Sequence, residues 1–156
     1  MDTSVKQAAA RQYARMLDRA ARQTAQLSPP REGWIAAFRK ALRMSGPQLA
    51  RRAGVTKAAV YQAERNEPDG AITLNQMRKM AEALGGRFVY AIVPETTVDD
   101  LVTRQAHDKA KALLRRAHVH MALEDQALPP EHASGEIERI AAQMTDRHPA
   151  DFWDRD

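Results

Sequence analysis

Lys57 and Gln62 are the two side chains of this sequence best suited to reading base edges. A glutamine amide matches the donor–acceptor pair of adenine, and a lysine ammonium donates to the O6/N7 edge of guanine. Thr56, Ala58 and Tyr61 share the outward positions of the same short segment and are polar, small or aromatic, as groove-reading side chains tend to be. Tyr61 suits a thymine methyl or a phosphate. Gln48 and Thr56 fall at expected helix N-termini, where backbone N–H groups are free to meet phosphate. Arg43, Arg51, Arg52 and Arg65 can supply the electrostatic background. The chemistry on offer is recognition of duplex DNA.

The residues that must position this set run from Gly46 to Glu64. Leu49, Ala50 and Ala53 form the inner face of a first short helix, and Val60 and Ala63 that of a second. Gly54 falls at the turn, where a positive φ is cheap for glycine, and Val55 plugs the turn. This spacing predicts a helix-turn-helix, the unit that lays its second helix in the major groove. Glu64 would be a poor phosphate neighbour, so it is expected to pair with an arginine of its own domain.

Four helices from Trp34 to Leu84 are expected to make a compact DNA-binding domain, residues 32–86. Trp34–Leu42 places Ile35, Phe38, Ala41 and Leu42 on one side. Ser45 is a good N-cap, with Pro47 tolerated in the first turn behind it. Thr56 and Thr73 cap the following helices, Asn66–Gly70 is a loop, and Gly85-Gly86 ends the helix through Leu74, Met77, Met80, Ala81 and Leu84.

Residues 1–31 read as a basic N-terminal helix with a stripe of Tyr13, Met16, Leu17 and Ala20, stopped by Ser28-Pro-Pro30. Its other face carries Arg11, Arg15, Arg19 and Arg22, either facing phosphates or simply solvated. Residues 87–94 read as one strand, because β-branched and aromatic residues dominate and Pro94 stops it. A lone strand cannot satisfy its own backbone groups. Phe88, Val89, Tyr90, Ala91, Ile92 and Val93 are therefore expected to pair with the same strand of a second copy, giving a homodimer with a shared two-stranded sheet. Pairing with a short segment near Ala71-Ile72 is the alternative. Residues 95–156 read as an acidic helical region. A helix from Val98 to about Leu123 runs through Leu101, His107, Ala110, Leu114, Ala117 and Met121, and Pro129-Pro130 breaks the chain. A last helix from about Ser134 to Thr145 follows, through Ile137, Ile140, Ala141 and Met144. Phe152 and Trp153 are expected to pack on these helices. The fold class is thus mostly α, a helix-turn-helix bundle with one C-terminal β-strand and flanking helices.

Charge is divided along the chain. The first 31 residues hold six Lys/Arg against two acids, residues 32–94 ten against five, and residues 95–156 eight against thirteen. This suggests a nucleic-acid face and a separate acidic partner face. Absence of cysteine excludes disulfides and thiolate metal sites and fits a cytoplasmic protein. No apolar window is long enough to span a membrane, and the N-terminus lacks the apolar core of a signal peptide. Catalytic residues, metal sites and cofactors are not expected. The histidines form no His-Glu-x-x-His pattern, His118 and His120 point two ways from a helix, and Glu124-Asp125 reads as an exposed helix end. There is no nucleophile elbow and no phosphate-cradling glycine loop.

With Leu42, Gln48-Leu49-Ala50, Gly54-Val55, Val60 and Glu64 in place, residues 34–84 resemble the Xre/Cro-type helix-turn-helix family. A longer set of segments resembles the group called mobile mystery protein A. These are Gly33-Trp34-Ile35, Ile72-Thr-Leu, Ala81-Glu-Ala-Leu-Gly85, Val89-Tyr-Ala-Ile-Val-Pro94 and His120-Met-Ala-Leu-Glu-Asp-Gln126. That resemblance implies a regulator encoded beside a Fic-domain protein in a toxin–antitoxin-like operon of a mobile element, with double-stranded operator DNA as its partner and direct binding of the Fic-domain protein as an alternative role; the second copy follows from the lone strand. Fic inhibitors carry Ser/Thr-x-x-x-Glu-Gly/Asn on a helix; Ser134-Gly-Glu-Ile-Glu138 fits its first five positions and Arg139 departs at the sixth.

Overall fold

Ser45, Thr56 and Thr73 each stand in extended backbone at the head of a helix and accept a hydrogen bond from a backbone N–H three residues on. These caps set the starts of three helices that the sequence patterns only approximate. In a computed structural model that describes residues 3–123 and 130–155, the chain forms seven helices among the described residues. They are α1 (Thr3–Thr24), α2 (Trp34–Ala41), α3 (Gly46–Ala53), α4 (Lys57–Asn66), α5 (Leu74–Ala83), α6 (Val98–Leu123) and α7 (Pro130–Arg147). Two compact units result: Thr24–Ala91, and Met1–Gln23 with Ile92–Asp156 as far as they are described.

In the first unit α3 packs on α4 and α5, and α2 on α4 and α5. Leu49, Ala50, Val60 and Ala63 are buried with Ile35, Met80, Ala83 and Leu84, and Ala53, Val55, Ile72 and Met77 pack against them. Both inner faces read from the sequence are therefore the observed ones. Helix α2 departs from expectation: Ile35 and Ala36 are buried, whereas Phe38, Ala41 and Leu42 are exposed. Only one edge of α2 meets the bundle, so its apolar side is wider than its buried side.

Glu67, at the end of α4, reaches back to the start of α2. Its carboxylate accepts from Trp34 N at 2.6 Å and Ile35 N at 2.9 Å, taking two of the N–H groups that a helix leaves unpaired. Gly33 sits in the left-handed region, and a Cβ there would come within 2.8 Å of that carboxylate. Its φ favours glycine, and a side chain there would push the Glu67 carboxylate from the N–H groups it caps.

The second unit is built on α6 packed against α7. Ala106, Ala110 and Ala141 are buried with Phe152, and small residues at these positions let the two helices approach. Gln105 Nε2 donates to Phe152 O at 2.6 Å and fixes the chain end. Of the expected terminal pair, Phe152 is buried and Trp153 is exposed, its ring edge-on to Phe152 at 5.0 Å. Thr97 and Asp100 exchange side-chain and backbone hydrogen bonds at the start of α6, and Asp18 Oδ1 accepts from Val98 N at 3.0 Å. Helix α7 begins and ends beyond the expected Ser134–Thr145. Glu124, Asp125 and Pro129 lie outside the described residues.

The stripe on α1 is only partly covered: Tyr13 and Met16 are exposed, and Leu17 and Ala20 are half-buried. One expectation needs correction. No residue among those described is in a β-strand, and residues 87–94 carry no regular secondary structure. A ladder needs a partner edge, and a single copy supplies none; Ala71-Ile72 is no strand either.

Candidate nucleic-acid interface

The turn between α3 and α4 is closed by backbone geometry. Gly54 is left-handed, at φ 65° and ψ 37°, and its N–H and that of Val55 bond back to Arg51 O and Ala50 O. Val60 is fully buried at the crossing, which fixes α4 across α3. Gln48, Arg51, Thr56, Lys57, Ala58, Gln62 and Arg65 are all exposed, as is Arg43 just past α2.

The side chains differ in how free they are. Gln48 Oε1 accepts from Ser45 N at 2.7 Å while Gln48 N donates to Ser45 Oγ at 3.3 Å. This capping box employs the carbonyl oxygen of Gln48, whose amide nitrogen remains a donor at the N-terminus of α3. The Thr56 hydroxyl accepts from Ala59 N at 3.1 Å. Gln62 is engaged at both ends within its own helix: Nε2 donates to Asn66 Oδ1 at 2.7 Å and Oε1 accepts from Arg65 Nη2 at 3.0 Å. Reading a base edge with Gln62 requires exchanging one of these exposed bonds. Arg52 is not background charge alone; its Nε donates to Ala83 O at 2.6 Å and ties α3 to the end of α5.

Tyr61 is half-buried rather than outward. Its ring lies over Gly46, where an added Cβ would fall 2.5 Å from the ring, and Lys57 Nζ and Arg39 Cζ stand 5.9 Å and 6.0 Å from its centroid. Tyr61 therefore packs the start of α3 onto α4, between two cations that its π-face attracts.

Beneath this surface lies an ion pair. Arg39 Nε meets Glu64 Oε1 at 2.5 Å, Arg39 Nη2 meets Glu64 Oε2 at 3.1 Å, and Nη1 donates to Met44 O at 2.9 Å. Both side chains are nearly nine-tenths buried. The hydrogen bond to Glu64 pushes the Arg39 guanidinium above its ordinary pKa range. The expectation for Glu64 thus holds, with α2 supplying the arginine. Arg39 was not singled out from the sequence, although its place four residues beyond Ile35, on the stripe turned towards the bundle, marks it.

A family model matched this part of the chain. Residues 35–90 match a helix-turn-helix family. The match covers α2 to α5 and the segment behind them, and it gives no support to the narrower mobile mystery protein A group. No curated protein and no solved structure matches the chain. The helix-turn-helix domain is thus established by the fold and the family match together. Among the described residues no group of His, Asp or Glu is arranged to hold a metal ion, and no helix is long and apolar enough to cross a membrane.

Proposed function

We propose that this chain is a sequence-specific DNA-binding transcriptional regulator, a cytoplasmic autorepressor that binds a near-palindromic operator as a homodimer. The observation that carries this reading is the exposure of Gln48, Thr56, Lys57, Ala58, Gln62 and Arg65 on a locked α3–α4 pair. Lys57 and Gln62 read base edges; Gln48, Arg43, Arg51 and Arg65 meet phosphates. Phe88 to Val93 pair across the two-fold axis, which places half-sites about one DNA turn, roughly 34 Å, apart. The exposed, ladder-free state of Val89, Tyr90 and Ile92 supports that role.

The sequence resemblance adds the setting, a toxin–antitoxin-like operon of a mobile element. A second reading, neutralisation of a Fic-domain protein, draws on the C-terminal region 95–156, which holds thirteen acids against eight Lys/Arg. Glu138 of the inhibitor-like segment lies on α7 with its side chain 66% exposed, 3.3 Å from His107 Nε2.

The test of the main reading is the Lys57→Ala/Gln62→Ala chain, titrated against DNA from upstream of its own gene and against scrambled DNA. Each base contact is worth about 1–3 kcal/mol of discrimination, so preference for the upstream sequence should fall on the order of 100-fold. An unchanged preference would show that other residues read the operator.

A further inference from the structure

Helix α1 carries a face of arginine. Its 22 residues hold five cations, Lys6, Arg11, Arg15, Arg19 and Arg22, against one acid, Asp18. At 3.6 residues per turn the four arginines fall within an arc of about 80°, and all four are exposed. The half-buried residues Ala14, Leu17, Ala20 and Ala21 lie on the other side of the helix. Asp18 is engaged elsewhere, accepting from Val98 N at 3.0 Å. Among the described residues no acid pairs with any of the four arginines.

A face that is merely solvated has no use for this pattern. Solvated helix faces gain from mixed signs, with acids four residues from bases. Here Arg11, Arg15 and Arg19 follow at steps of four and Arg22 at a step of three, so each arginine neighbours a like charge and the helix is weakened. A polyanion laid along the face removes that repulsion. From Arg11 to Arg22 the helix rises about 16 Å, the axial length of about five base pairs. A guanidinium also matches phosphate oxygens with two parallel N–H donors. A lipid surface fits less well, because an interfacial helix inserts its apolar side, and Leu17 and Ala20 are already half-covered within their own unit. Duplex DNA is the polyanion that a helix-turn-helix brings to this chain. Only residues 25–33 separate α1 from α2 in sequence, and so short a tether presents bound DNA to α1 at high effective concentration.

We infer that Arg11, Arg15, Arg19 and Arg22 bind phosphates of the duplex that the helix-turn-helix holds, as a second contact surface. The inference rests on the DNA-binding reading above and adds to it a surface outside residues 35–90, where the family match lies. Phosphates carry no sequence information, so α1 adds affinity and salt dependence but no preference between sequences.

The experiment titrates the full chain against upstream and scrambled duplexes at roughly 50 mM and 200 mM salt. The variant is Arg11→Gln/Arg15→Gln/Arg19→Gln/Arg22→Gln, because glutamine is a good helix former at exposed positions. Each lost phosphate contact lowers the slope of log affinity against log salt by about 0.9, so the unaltered chain's advantage over the variant should shrink on the order of 100-fold between the two salts. The loss should be the same for both duplexes. The pair Arg11→Gln/Arg15→Gln should lower the slope by about half as much, and it decides the matter if the fourfold variant loses helix. The control, Arg104→Gln/Lys111→Gln/Arg115→Gln/Arg147→Gln, removes the same charge from exposed positions of α6 and α7 and should keep the slope. An unchanged slope in the α1 variants, with upstream preference intact, would overturn the α1 contact alone and leave the helix-turn-helix reading standing. Equal losses in the α1 variant and the control would show a response to net charge and overturn it as well. A lost preference for upstream DNA in the α1 variant would overturn the phosphate assignment. Phosphatidylserine vesicles that bind the unaltered chain but not the α1 variant, with equal slopes on DNA, would give the face to a lipid surface instead. A chain that binds neither duplex would overturn this inference and the DNA-binding reading together.

Discussion

Glu64→Ala is expected to destabilise the unit Thr24–Ala91 by about 3 kcal/mol, because it strands a nearly buried guanidinium. Arg39 would keep its bond to Met44 O but lose two charge-assisted bonds, and the slight exposure of the pair puts the loss at the lower end for buried ion pairs. The pair joins α2 to α4, so the loss falls on the helix that carries Lys57 and Gln62. Urea unfolding should show it as a lower midpoint at unchanged slope. The control is the double replacement Arg39→Met/Glu64→Leu, which removes both charges. It should recover most of the stability, since well-packed apolar residues commonly replace a buried pair at little cost. A Glu64→Ala chain as stable as the original would show that the pair contributes nothing beyond what water supplies.

Phe152→Ala should cost the unit built on α6 and α7 about 3–5 kcal/mol, the range for deleting a buried aromatic ring. Phe152 is 2% exposed among Ala106, Ala110 and Ala141. Its buried neighbours are alanines too small to fill the space left by a ring, so part of the cavity should persist beside Val102, Ile137, Ile140 and Met144. His148, with its ring centroid 4.6 Å away, also loses its partner. Trp153→Ala is the comparison, expected to change stability much less because Trp153 is 59% exposed. Thermal unfolding followed by circular dichroism should lower the transition for Phe152→Ala only. Equal shifts for both variants would contradict the assignment of Phe152 as the anchor.

The helix-turn-helix was legible because its constraints are local. The glycine at the turn, the caps at Ser45 and Thr56 and the small residues at the crossing each follow from contacts within a few turns of chain. Glu64 was legible by elimination, since a carboxylate beside phosphates needs another use. Glu67 and the seat of Tyr61 on Gly46 were not, because each joins residues from different helices through geometry that no spacing rule encodes; for Arg39 the spacing from Ile35 gave its inward place but not its partner. The stripe on α1 and the apolar side of α2 show a different failure. Periodicity finds an apolar face but not what covers it, and Tyr13, Met16, Phe38 and Leu42 remain exposed in a single copy. Residues 87–94 show the same failure in a strand pattern: β-rich composition describes a segment fit for a ladder, whereas the ladder itself needs a second edge.

The central claim is sequence-specific recognition of DNA through the surface around Lys57. Its most direct test is a fluorescence-anisotropy titration of the full chain against DNA from upstream of its own gene, beside scrambled DNA, at two salt concentrations. Tighter binding to the upstream DNA, with affinity for both falling as salt rises, is the predicted result. Equal, weak binding to the two DNAs at both salt concentrations would contradict it.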